Sequence, residues 1–259
     1  MDLKSYSKIN LFLNVNRKLS NGLHDIQSLF CLVDLFDTIS IKKKNNENSD
    51  KIIIKGPFAK QVKKKNNSIQ KILSILRQYK LISNFYDICI FKKIPVFSGL
   101  GGGTSNAATI LKFLIKKKIK RKIFEKIVKY IGSDLRLFFY KRGYQADLKT
   151  LVDLKQKYDL YFLIIFPKIK CSTKVIYSMI KKYSAKAKYK KKDLQTKKKF
   201  YKIVNNSKND LQSIVEKKYP SIKKILKDLE KMHGCHFSRM TGSGSACFGL
   251  FIDEQCSKA

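Results

Sequence analysis

Between Gly99 and Gly103 four of five residues are glycine, in a chain with only 12 glycines among 259 residues. The run Pro95-Val96-Phe97-Ser98-Gly99-Leu100-Gly101-Gly102-Gly103-Thr104-Ser105 therefore gathers the chain's backbone freedom at one point. Without Cβ atoms, successive N–H groups can turn into one concavity and the backbone can approach a ligand closely. Asn106-Ala107-Ala108 continues into an apolar, helix-forming segment, so the loop stands at a helix N-terminus, where phosphate anions bind. The chemistry on offer is a phosphate cradle; the alternative is a flexible turn from strand to helix. No GxxxxGK[ST] pattern occurs, and residues 113–121 are apolar or basic, with no acid at the offset of a dinucleotide fingerprint.

Such a loop needs a strand before it and a helix after it. Tyr86–Phe91 alternates as a strand, Pro95 ends it, and residues 104–117 read as a helix. Residues 5–15, 37–42 and Lys51–Lys55 read as strands, with a polar Lys/Asn turn at 43–50. Residues 68–79 read as a helix capped by Ser68, with Ile69, Ile72, Leu73 and Leu76 as its apolar stripe. A short helix at 123–131 ends at Gly132-Ser133-Asp134, and 158–166 is an apolar strand stopped by Pro167. Residues 181–202 are overwhelmingly basic, a surface excursion or an extended helix. Residues 209–231 read as two helical pieces around Pro220, and a second glycine turn, Gly242-Ser243-Gly244, enters a strand at 246–252. Strands and helices mixed in this way predict an α+β chain, divided into residues 1–155 and 156–259.

The formal charge is +37, from 56 basic and 19 acidic residues. That balance invites a nucleic-acid reading. Only six of the basic residues are arginine, however, and the 50 lysines are scattered along the chain. Arginine is the residue of bidentate base and phosphate recognition, whereas lysine is a solvated point charge. The abundance of Lys, Asn, Ile, Phe and Tyr, with no Trp, is the skew of an AT-rich coding sequence. No dedicated nucleic-acid site is expected. The six cysteines show no CxxC spacing, and His233-Gly234-Cys235-His236 reads as a helix end rather than half a zinc site. No apolar run approaches the ~20 residues of a membrane span, and no leader is evident, so a soluble cytoplasmic protein is expected.

The glycine loop is similar to the second motif of the GHMP kinases, P-x-x-x-G-L-G-[SG]-[SG]. Two further stretches follow the order of that superfamily. Ser7-Lys8-Ile9-Asn10-Leu11 resembles its A-K-[IVL]-N-L strand, and Thr241-Gly242-Ser243-Gly244-Ser245-Ala246 resembles its third, glycine-rich motif. Asn21-Gly22-Leu23-His24-Asp25-Ile26-Gln27-Ser28 and the Gly-Gly-Gly-Thr-Ser-Asn-Ala-Ala form of the loop look like one branch, the 4-diphosphocytidyl-2-C-methyl-D-erythritol kinases of non-mevalonate isoprenoid synthesis. The resemblance spans residues 5–252.

What it implies is a two-domain fold, ribosomal-protein-S5-like at the N-terminus and ferredoxin-like at the C-terminus. The activity implied is ATP- and Mg²⁺-dependent phosphorylation of a hindered tertiary alcohol, which must be aligned while its proton is accepted. By the same resemblance Asp134 is the proton acceptor and Lys8 its catalytic lysine. Residues 95–105 hold ATP, with the Thr104 or Ser105 hydroxyl at the metal. Asn10, His24, Thr173, Tyr177, Gly242, Ser243 and Gly244 contact the cytidyl substrate, His24 at the cytosine edge and Tyr177 as a stacking ring. The chain would work as a monomer or homodimer. Leu23 stands where the branch has Tyr or Phe, Ser98 replaces a glycine, Arg136 replaces a proline, and the final helix and strand of the family are not expected. Two other readings remain: a homoserine- or mevalonate-type kinase, against which residues 21–30 argue, and a degenerate kinase fold that binds polyanions.

Overall fold

In a computed structural model, residues 2–45, 47–155 and 158–258 are described. The chain begins with two long strands, β1 (Asp2–Lys18) and β2 (His24–Lys43), then β3 (Lys51–Lys55), α1 (Ser68–Gln78), β4 (Tyr86–Phe91), α2 (Gly102–Leu114) and α3 (Arg121–Ile131). A 3-10 stretch, Ser133–Phe139, leads into β5 (Arg142–Gln145), β6 (Leu151–Asp153), β7 (Tyr161–Ile165) and α4 (Thr173–Ser178). Then come α5 (Lys191–Gln195), α6 (Lys197–Asn205), α7 (Gln212–Lys218), α8 (Pro220–Lys231), β8 (Cys235–Met240), β9 (Cys247–Phe251) and α9 (Glu254–Lys258). The elements form two compact units interleaved in sequence. The first holds the residues up to Lys8 with 32–96 and 101–139; the second holds 9–31, 97–100 and everything from Tyr140. Gln156, where the sequence sets the start of a second domain, lies outside the described residues, as does Asn46 of the 43–50 turn.

In the first unit β4 runs antiparallel to the C-terminal half of β2, from Thr38↔Phe91 to Lys43↔Tyr86, and parallel to β3. Ile69, Ile72, Leu73 and Leu76 lie at helical spacing on one face of α1 and pack with Ile88 and Ile90 of β4 and with Ala107, Ala108, Ile110 and Leu111 of α2. Each fully buried aliphatic side chain contributes about 1.5–3 kcal/mol, so this face, more than helix propensity, decides that α1 forms. Asn67, not Ser68, caps α1: its Oδ1 accepts from Ile69 N and Gln70 N, both at 3.1 Å, and Gln70 Oε1 accepts from Asn67 N. A cap must sit one residue before the first helical one for its side chain to reach these amides, and Ser68 is already inside the helix.

The second unit pairs the N-terminal part of β2 with β5, from Ser28↔Gln145 to Cys31↔Arg142, and β5 with β6. Its other sheet is antiparallel in the order β7-β9-β8. Leu211, Val215, Ile222, Leu226 and Leu229 of the α7–α8 region bury against Met240 and Cys247. Pro220 opens α8, a first-turn position where its missing N–H costs nothing. His233 and Gly234 lie in the turn after α8, and Cys235 and His236 open β8. The basic 181–202 tract holds an irregular segment followed by the short helices α5 and α6. Among the described residues no helix is long and apolar enough to cross a membrane.

Candidate functional site

In the first unit, β1 delivers Lys8 and the 3-10 stretch delivers Asp134. Leu135, Leu137 and Phe138 are buried and hold that stretch against the core, which leaves Asp134 half-exposed beside them. Lys8 Nζ lies 3.4 Å from Asp134 Oδ2, with the lysine side chain 4% exposed and the aspartate 36%. Gly101 stands over the lysine stem. It has φ +72°, and a Cβ there would come within 2.8 Å of Phe138 Cζ and 3.3 Å of Lys8 Cγ. The residue is the N-cap of α2 and carries no capping side chain, and no acid occupies the first turn. First-turn amides without a side-chain acceptor, at the positive end of a 13-residue helix, suit an anionic phosphate.

Two buried charges fix the approach to this loop. Lys92 Nζ donates to Asp37 Oδ2 at 2.6 Å and to Ile94 O at 2.7 Å. Asp37 Oδ1 accepts from Lys93 N at 2.7 Å and Ile94 N at 2.8 Å. Burial lowers the Lys92 pKa, and the Asp37 carboxylate opposes the shift. A Cβ at Gly102 would come 2.8 Å from Lys92 Nζ, so the loop rests on this knot. The sequence carried no sign of it, since a lysine just after a strand looks like any other.

Ser105 and Thr104 fare differently. Ser105 is buried, donates through Oγ to Tyr6 O at 2.6 Å and lies 2.8 Å from Ser5 Oγ, so its hydroxyl is turned into the protein. Thr104 is partly exposed. Of the two hydroxyls, that of Ser105 is engaged within the protein, and Thr104 is the less buried residue.

In the second unit, Phe97–Leu100 packs on the second glycine turn. Ala246 N donates to Ser98 O at 3.0 Å, and Thr241 O stands so close to Gly99 that no Cβ fits there. Ser98 has no positive φ, which explains why serine serves where the kinase pattern has glycine. Asn10 N donates to Thr241 Oγ1 at 2.9 Å and Asn10 Nδ2 to Ser28 Oγ at 2.7 Å. Thr173 Oγ1 lies 2.9 Å from Ser243 Oγ. Asn209, missed by the sequence reading, donates to Met240 O and Gly242 O at 2.7 and 2.8 Å and so holds the turn. His24 meets Tyr177, ring centroids 5.0 Å apart. Burial, and then the charge of Lys18, lowers the His24 pKa below its usual 6.5.

The chain has relatives among known proteins. The family described as GHMP kinases C terminal matches residues 191–256. The chain is 38% identical over 270 residues to the 4-diphosphocytidyl-2-C-methyl-D-erythritol kinase of Pelagibacter ubique (strain HTCC1062), covering 99% of this chain and 92% of that one. The chain belongs to the 4-diphosphocytidyl-2-C-methyl-D-erythritol kinase family. A second member, from Thermodesulfovibrio yellowstonii, is 33% identical and covers 97% of this chain and 90% of its own length.

Solved structures of this family and its neighbours share the fold. A crystal structure of 4-(cytidine 5'-diphospho)-2C-methyl-D-erythritol kinase superposes with TM-score 0.75 at 20% identity, covering 100% of this chain and 92% of that one. A homoserine kinase from Cytophaga hutchinsonii gives 0.63 at 17%, covering 98% and 87%. The chain thus has the GHMP kinase fold, α+β as the sequence predicts. The likeness to both structures shows the fold alone. The kinase chemistry of the family is ATP-dependent, and Arg136 is engaged with Glu125.

Proposed function

We propose that the chain is a cytoplasmic kinase that transfers the γ-phosphoryl group of ATP to the 2-hydroxyl of 4-diphosphocytidyl-2-C-methyl-D-erythritol. The observation that carries this reading is the Lys8–Asp134 pair at 3.4 Å, beside Gly101 and the open start of α2, in a chain of this family. Asp134 is the exposed partner, so it accepts the hydroxyl proton as the new P–O bond forms and the bond to the leaving ADP breaks. Lys8, almost wholly buried, keeps its ammonium against that carboxylate and steadies the negative charge on the phosphoryl being transferred. Gly99 to Thr104 hold the ATP phosphates through backbone N–H groups. When bound, Mg²⁺ offsets phosphate charge, and Thr104 is the hydroxyl that serves it. Asn10, Thr173, Gly242, Ser243 and Gly244 shape the acceptor site. His24 presents a neutral imidazole to the cytosine edge, and Tyr177 stacks on the base.

The test is ADP release with a panel of alcohols. The cytidyl compound should be turned over, with homoserine and mevalonate inert. Turnover of homoserine without turnover of the cytidyl compound would sink the acceptor assignment.

A further inference from the structure

The basic tract opens with a segment that has neither helix nor strand yet is closely held. Ser184 N donates to Val15 O at 2.9 Å, and Asn16 Nδ2 donates to Ser184 O at 3.0 Å. Three residues on, one side chain grips Ala187 twice. Ala187 N donates to Gln27 Oε1 and Ala187 O accepts from Gln27 Nε2, both at 2.8 Å. These are the two bonds a neighbouring strand would make, supplied here by a single amide. Gln27 is 1% exposed, and its Nε2 also donates to Tyr144 Oη at 2.7 Å. Tyr189 then packs on Phe12 and Tyr144, each at 5.5 Å between centroids. Backbone groups without strand partners are satisfied one by one, so residues 183–189 form an ordered strap rather than a loose lysine-rich loop.

What the strap presents is Tyr183. Its ring lies 6.4 Å from the His24 ring at 37°, while Tyr177 lies 5.0 Å from the same imidazole at 45°. Tyr189 of the same strap packs against two rings; Tyr183 is left 45% exposed. A large ring on an anchored backbone, half in water and beside an imidazole, is surface offered to a planar ligand. Leu23, next to His24, is 51% exposed and has no π face to offer.

We propose that Tyr183 is a specificity-determining residue, which with Tyr177 flanks His24 and supplies an aromatic face for the substrate's planar base, and that Gln27 is the positioning residue that sets where Tyr183 stands. The inference rests on the reading above that the acceptor carries a cytosine.

It is tested on the full chain by calorimetric binding of cytidine 5′-diphosphate, alongside KM for the cytidyl acceptor and for ATP. Stacking of a base on an aromatic residue is worth about 1–3 kcal/mol, so Tyr183→Ala should weaken cytidine diphosphate binding and raise acceptor KM roughly tenfold. The KM of ATP and the thermal midpoint should not move. Tyr183→Phe keeps the ring and should stay within about twofold of the parent on every measure. Gln27→Ala, acting through the strap, should raise the acceptor KM less than Tyr183→Ala does. Parental acceptor KM and cytidine diphosphate affinity in Tyr183→Ala would overturn the proposal, and so would an equal rise in the KM of ATP. A parent that binds no cytidine diphosphate and leaves the cytidyl acceptor unphosphorylated would instead remove the functional reading beneath it.

Discussion

Lys8 and Asp134 meet at 3.4 Å from opposite environments: the lysine side chain is 4% exposed, the aspartate 36%. A buried ammonium facing a carboxylate that is open to solvent is a poor stabilising bridge, because desolvation of the lysine offsets much of the attraction. It is a good arrangement for chemistry, since the cation is fixed and the carboxylate remains reachable. The stem of Lys8 is fixed in turn by packing under Gly101.

Gly101→Ala should therefore harm catalysis as well as folding. The left-handed conformation costs an L-residue about 1–2 kcal/mol. The new methyl would also press on Phe138 and on Lys8 Cγ. We expect a urea midpoint lowered by a loss of that size and a kcat reduced more than about tenfold. Gly234→Ala is the control: it carries the same left-handed strain, at φ +73°, but its Cβ would meet Cys256 and Ile252 rather than Lys8, and its kcat should change little. Equal kcat in the two variants would argue against Lys8 being held by the loop.

The Lys92–Asp37 pair, with side chains 3% and 0% exposed, should matter for stability. Replacing Lys92 with Met strands a buried carboxylate, and breaking such pairs costs about 3–5 kcal/mol. Guanidinium denaturation of Lys92→Met should show a loss of that order. A loss below about 1 kcal/mol, the size of a surface pair, would mean that the knot does not hold the approach to the loop.

For His24 the sign of the pH dependence is set by its lowered pKa, caused by burial and then by Lys18. The imidazole is neutral above its usual 6.5 and gains its proton only at lower pH. Acceptor KM should be flat above 6.5 and rise as pH falls through the lowered pKa. The same shift adds stability above 6.5 that is lost on acidification, because the unfolded chain then binds the proton more readily. The check is acceptor KM against pH in the parent and in His24→Asn. The variant should have a higher KM without the acid limb; an identical acid limb would remove His24 from the base site.

The ordered glycine motifs and the stripe Ile69, Ile72, Leu73, Leu76 were legible in the sequence because they are local patterns, set by spacing alone. Family membership and the GHMP fold followed from them. Less of the site could be read. Asp37 with Lys92, Gln27 with Ala187, and Asn209 with Gly242 join residues 55, 160 and 33 positions apart. Nothing in the local spacing of either member signals its partner. Tyr183 was hidden for another reason: it sits in a tract whose lysine content masks the anchored backbone. The interleaving of the two units depends on β1 and β2 running through both, which no break in composition announces.

Asp134, paired with Lys8, is proposed to accept the proton of the cytidyl acceptor's hydroxyl. The decisive measurement is single-turnover phosphoryl transfer from ATP to 4-diphosphocytidyl-2-C-methyl-D-erythritol in the parent and in Asp134→Asn, with both ligands saturating. A general base contributes about 10²–10⁴-fold, so the variant should lose at least a hundredfold in rate while ATP affinity stays near parental. Transfer at the parental rate in Asp134→Asn would rule out Asp134 as the proton acceptor.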